Sequence, residues 1–300
     1  MPFKTSFRFI KRLFRNLYFL MFLNGFLLAS MFYFKMESSY EEGLFASIKY
    51  NIDNKVDKDD TRDSIVVKAM GVCHALMNNR ANIFNTDNTL GVRDEVFHST
   101  AVDLMTTKGA CGSYAQVLAT IISTYHYPVR IAQMKAGDTW AAHNIVEVNA
   151  THGWVVLDPT FNVYFVKPDG QLASFADVKA NWPYYAKQVP PGYDMKYRFE
   201  DVRYSNWAKV PIIFPAIKNI LNLAIGKDNA DVISMRTIFL HVFNIYIWVS
   251  LIIYIPVFLF TIRRLIQTKV FPSPDIPFTF SNFIKYARSQ MNRENTGLTR

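Results

Sequence analysis

The chain is 300 residues long, half apolar and 15% aromatic, which excludes a disordered or fibrous protein and leaves room for one or two domains. Its net charge of +9 and pI of about 9.4 would fit a nucleic-acid binder, but the excess charge lies at the two ends and not along a binding face. Two cysteines, Cys73 and Cys111, with no CxxC spacing, indicate neither a disulfide scaffold nor a zinc ribbon.

The first basic cluster is Lys4, Arg8, Lys11, Arg12 and Arg15, without an acid. An apolar run from Leu17 to Phe34 follows, broken only by Asn24 and Ser30. At 1.5 Å per residue it extends roughly 27 Å, close to the thickness of a bilayer core. The run continues past the small residues Ala29 and Ser30 with no clean cleavage site, so it reads as a retained anchor and not as a removed signal. A second run, Thr237 to Ile262, ends at Arg263 and Arg264 and carries Pro256, tolerable in a membrane helix. His241 and Asn244 near its start read as interfacial or helix–helix bonding groups. From Arg263 onward seven Lys and Arg stand against Asp275 and Glu294. Positive charge stays on the cytosolic side, so both tails are expected in the cytosol and the residues between the spans outside it, on a periplasmic face. Between the spans, Val210 to Ile225 is apolar but short and holds Pro211 and Pro215, which predicts an interfacial or core-packed link. The expected organisation is a basic tail 1–16, a transmembrane helix 17–35, a domain 36–208, a linking segment 209–236, a second transmembrane helix 237–262 and a basic tail 263–300.

Within the domain, Ile65, Val66, Ala69, Met70, Cys73 and Met77 recur at helical spacing, which makes Cys73 a buried core residue. An Asn-, Thr- and Asp-rich stretch after Arg80 reads as loop. Gly109-Ala110-Cys111-Gly112-Ser113-Tyr114 then opens a second helical pattern, with Ala115, Val117, Leu118, Ile121 and Ile122 apolar. Cys111 therefore stands at a helix N-terminus, where free N–H groups and the helix dipole favour a thiolate. Glycines at 109 and 112 let backbone or substrate come close to the sulfur. Val129 to Met134, Ala142 to Val148 and Gly153 to Leu157 read as strands. If Asn149 to His152 forms a four-residue hairpin loop, Val148 pairs with Gly153 and His143 lies directly opposite Asp158. The two are then expected on the sheet face that meets the Cys111 helix, where the acid fixes the imidazole's tautomer and orientation.

GACGSYAQVLATII followed by YPVR, then HNIVEVN, then GWVVLDPT resembles the core of the transglutaminase-like cysteine enzymes, over about Lys108 to Phe165. The resemblance implies an α+β fold with a papain/transglutaminase-like core, a Cys-bearing helix packed on an antiparallel sheet, set between the two transmembrane helices. It further implies Cys111 as nucleophile, His143 as general base and acid, and Asp158 as orienting acid. Such enzymes form a thioacyl intermediate and pass the acyl group to water or an amine. Arg130 resembles a family position; it and Trp154, which shares the expected His143/Asp158 face, are candidate substrate contacts beside plain ion-pair and packing roles. His98 and His152 are rival bases. A zinc site from Cys111, His143, His152 and Asp158 lacks a short-spaced ligand pair, so neither metal nor cofactor is expected. The aromatics from Trp182 to Tyr204 either line a cleft or form an irregular cover. The expected partners are the membrane and an envelope peptide, protein or glycan-linked acyl substrate, with a membrane complex as further company and no nucleic acid. The alternative is an inert transglutaminase-like module that serves as a binding platform.

Overall fold

The computed structural model describes residues 16–84, 95–107, 109–207 and 213–267, with Phe14, Gly91, Lys209 and Arg288 as single residues. Most of both basic tails, and most of the loop expected after Arg80, lie outside the described residues.

The elements follow in chain order as helix α1 (Leu17–Asp53), α2 (Arg62–Ile83), α3 (Thr100–Met105) and α4 (Cys111–Ser123). Strands β1 (Val129–Ala136), β2 (Thr139–Ala150), β3 (Gly153–Asp158) and β4 (Val163–Tyr164) come next. Helices α5 (Phe175–Ala180) and α6 (Trp182–Tyr185) precede β5 (Val202–Arg203). The chain then runs through α7 (Ile213–Ile225), α8 (Lys227–Asp231) and α9 (Met235–Ile238) into a 3-10 turn and α10 (Val242–Gln267).

Two compact units result, one from residues 1–36 and 246–300, the other from 37–245. α1 and the stretch from Met235 to Gln267 are long and apolar enough to cross a membrane. In the first unit, the buried amide of Asn24 donates to Leu20 O at 2.7 Å and to Thr261 Oγ1 at 2.8 Å. Such a bond between apolar helices satisfies a polar group that lipid cannot.

The second unit is α+β. Its five strands form one antiparallel sheet in the order β4-β3-β2-β1-β5. Alternation splits the strand residues between two cores. Ile131, Val146, Val148, Val155 and Leu157 pack with the buried stripes of α2 and α4, and Cys73 lies in that core. Ala132, Met134, Ile145 and Val156 face the other way, under Phe165, Phe175, Tyr185 and Phe199. The aromatic segment from Trp182 to Tyr204 is thus a cover over this second face, largely irregular between α6 and β5. Here Ser38 donates to Asn244 Oδ1 at 3.0 Å, so Asn244 is a helix–helix bonding group. α7 leaves Ile220 and Leu223 exposed, the latter by 91%, which corrects the core-packed option for that segment.

The β2–β3 register differs from the expected one. Val148 pairs with Val155 and Ala150 with Gly153, so the loop is Thr151–His152 and not the four residues Asn149 to His152. Gly153, at φ +115°, turns the chain back sooner than a residue with a Cβ would. The slip is two residues, an even number, so every side chain keeps its face. Asp158 falls opposite Ile145 and becomes a diagonal neighbour of His143 instead of its direct partner.

Candidate active site

The loop that presents Cys111 is held from below. The guanidinium of Arg80, buried on α2, donates to Asp103 O at 2.8 Å and to Gly109 O at 2.9 Å. Ser113 donates to Asp103 Oδ1 at 2.5 Å. Gly109 takes φ +90°, and a Cβ there would stand 2.0 Å from Ser113 Oγ, so only glycine fits. Ala110 is the cap residue of α4, and Cys111 is its first helical residue. The space at Gly109 and Gly112 is filled by protein groups: Ser113 at the first, Arg236 and Asn144 at the second.

His143 and Asp158 are both buried, and the Nε2–Oδ2 distance is 2.7 Å. The other carboxylate oxygen accepts the backbone N–H of Thr160 at 3.1 Å and of Phe161 at 3.4 Å. The Asp-Pro-Thr turn thus locks the acid before it meets the imidazole. Tyr197 stacks on the His143 ring at 4.5 Å between centroids with a 17° tilt, and Phe161 lies 5.7 Å away. With Nε2 engaged, Nδ1 is the ring nitrogen left for Cys111, and thiol and imidazole each shift the other's pKa.

This contact does not arise as expected. By alternation His143 and Asp158 belong to the aromatic face of the sheet, whereas α4 packs on the opposite one. β2–β3 pairing stops at Val146↔Leu157, before His143 is reached. The Cys111 sulfur accepts Asn144 Nδ2 at 3.3 Å and is coupled to the His143 ring. Two adjacent strand residues, which point to opposite faces, therefore converge on one atom. A local distortion assists: between Met134↔His143 and Lys135↔Trp140 the register shifts, and Ala141 takes φ +62°. A left-handed alanine costs about 1 kcal/mol, stored two residues before the histidine.

The electrostatics follow from these contacts. Partial burial pushes the Cys111 thiol up, but the hydrogen bonds from His143 and Asn144 outweigh it and bring the pKa down to about 7. Burial lowers His143, yet the bonds to Asp158 and Cys111 prevail and raise it to about 9. Between these values the thiolate–imidazolium pair is the prevailing form. Cys73 is the opposite case. Fully buried, with Tyr114 O at 3.7 Å, its thiol is pushed far up by desolvation. Both cysteines are free.

The structure brings Cys111, His143 and Asp158 together and places Arg130 and Trp154 elsewhere. Trp154 pairs with Asn149, six residues along β2 from His143 and so about 20 Å away. Arg130 donates to buried Glu147 at 2.8 Å, with its guanidinium between the rings of Trp154 at 4.1 Å and Tyr204 at 4.2 Å. His152 sits exposed in the turn and His98 is 3.3 Å from Asp103, so neither is placed as a base for Cys111. Asn144, Tyr197 and Arg236 are site residues that sequence reasoning missed. Asn144 follows the histidine and by strand alternation belongs to the other face, and Tyr197 is one aromatic among many. Comparisons with models of protein families, with curated proteins and with solved structures return no match to this chain.

Proposed function

We propose that this chain is a membrane-anchored thiol enzyme of transglutaminase-like type, with a papain/transglutaminase-like core. The observation that carries the reading is one partly buried sulfur, bonded to Asn144 Nδ2 at 3.3 Å and coupled to a buried imidazole whose far nitrogen is held by a buried acid at 2.7 Å. The Cys111 thiolate attacks the carbonyl carbon of an amide or ester. The C–N or C–O bond then breaks as His143 gives its proton to the leaving amine or alcohol. Water or an amine next attacks the thioester, yields a proton to His143 and releases the thiolate. The backbone N–H of Cys111 and the amide of Asn144 stand beside the sulfur as donors for the oxyanion. The resemblance over Lys108 to Phe165 supports the same chemistry. The two apolar helices and the basic tails support a two-pass arrangement with cytosolic termini, an interfacial α7 and an envelope acyl substrate.

Iodoacetamide labelling of the full-length protein in detergent, with peptide mapping, tests the reading. Cys111 should be alkylated at neutral pH while Cys73 stays unmodified until the protein unfolds. Equal labelling of the two would leave the inert binding module as the better account.

A further inference from the structure

Beside the three site residues stands a cation that the mechanism above does not use. Arg236 lies on α9, and its Nη1 is 3.3 Å from the point that a Cβ on Gly112 would occupy; Asn144 Nδ2 is 3.7 Å from the same point. Gly112 directly follows the nucleophile, so its missing side chain is what lets guanidinium and amide stand together next to the sulfur. The charge of Arg236 acts directly on Cys111. Among the described residues Arg236 has neither a carboxylate partner nor a hydrogen bond.

The cation is held in place. α9 is the first turn of the helical stretch that continues to Gln267, and it is fastened to the sheet. Ser234 donates to Ile131 O at 2.7 Å, and Ile131 N–H donates to Thr237 Oγ1 at 3.2 Å. These are backbone groups of β1 that β5 does not reach, since β5 pairs only with Gln133 and Met134. Ser205 adds a bond to Ile233 O at 2.6 Å and accepts Met235 N–H at 2.9 Å. Next to Arg236 opens a cavity of about 270 Å³, walled also by Gln116, Gln133, Tyr204 and Lys209. Among the described lining residues there are two cations and no carboxylate. A half-buried guanidinium that lines a cavity and, among the described residues, has no carboxylate partner suits a ligand that brings one. Its planar fork matches a carboxylate or a phosphate.

We infer that Arg236 and the adjoining cavity form an anion site for the acyl substrate, so that Cys111 acts on acyl groups carrying a carboxylate or phosphate close to the scissile bond. This rests on the thiol-enzyme reading. A paired test separates the two. Iodoacetate and iodoacetamide differ in charge beside the same reacting carbon, so their rate ratio at Cys111 reads local anion attraction and cancels the thiolate fraction. The ratio should fall about tenfold in Arg236→Gln, the loss of one charge-assisted contact, and fall less in Arg236→Lys. Inorganic phosphate or acetate should protect wild-type Cys111 from iodoacetate and not protect Arg236→Gln, and the better protector identifies the class of anion. Arg236→Lys and the protection of wild type keep the test decisive if Arg236→Gln fails to fold. Fast iodoacetamide labelling with a ratio indifferent to Arg236, or no protection by either anion, overturns the anion site alone. A Cys111 no more reactive than Cys73 toward both reagents overturns the thiol enzyme, and the anion site with it.

Discussion

The two ends of strand β2 carry, on one face of the sheet, the same kind of object put to different use. At one end Arg130 and Glu147 form a buried ion pair between the rings of Trp154 and Tyr204. At the other end His143 and Asp158 form a buried pair beneath Tyr197 and beside Phe161. Burial, opposite charge and aromatic cover are common to both, so none of these marks function. The difference lies in what the cation can still do. Arginine stays protonated at any ordinary pH, and its partners are all internal. The imidazole titrates, and its second nitrogen is left for a sulfur that is only partly buried.

Breaking each end should separate the roles. Glu147→Ala leaves Arg130 buried without its anion and should cost about 3–5 kcal/mol of stability, read by denaturant unfolding. The iodoacetamide rate of Cys111 in the remaining folded protein should not change. His143→Ala should act the other way. Loss of the imidazole returns the thiol to its ordinary range or above, and alkylation at pH 7 should slow about tenfold. If Glu147→Ala slows alkylation as much, the two ends are not distinct.

The pH profile sharpens the contrast. Alkylation of wild-type Cys111 should rise through about pH 7, while His143→Ala should rise only near or above pH 8.5. Acyl transfer needs the thiolate and a protonated His143 together, so turnover should climb through about 7 and fall through about 9. Asp158→Asn should slow alkylation less than His143→Ala, because it weakens the imidazolium without removing it. Its effect on stability should depend on pH. His143 is raised on folding, so its contribution is complete below about 6.5 and lost as pH rises through about 9. The Asp158→Asn deficit should therefore be larger at pH 6 than at pH 10, by calorimetry or chemical unfolding. A deficit independent of pH would make Asp158 a packing residue, like its counterpart at the other end.

Much of this was legible without coordinates, for a local reason. Helical spacing from Val66 to Met77 and from Cys111 to Ile122 is a property of neighbours in the chain, and so are the strand alternation and the two apolar runs. Cys111 at a helix start, and a histidine and an aspartate on the same strand face, follow from these patterns. An error of two residues in the hairpin register left the faces intact, since side chains on a strand repeat every two residues. Local patterns do not reach the places where long-range contacts decide. Turn-forming residues suggested a four-residue loop, but the positive φ of Gly153 closes it in two. Alternation put Asn144 on the face away from His143, but its Nδ2 donates to the same Cys111 sulfur that is coupled to the imidazole.

The sequence by itself determined the α+β class of fold, the two apolar helices and the residues Cys111, His143 and Asp158 that the structure brings together. Only the tertiary structure decided that Asn144 stands at the sulfur with His143 and that Arg130 is closed off by Glu147. Only it brings Arg236, 125 positions beyond Cys111, against Gly112. Periodicity records which face a residue turns to its own element's neighbours. It carries no information on where a strand stops pairing, or on which distant hydroxyls fasten a four-residue helix to a free sheet edge.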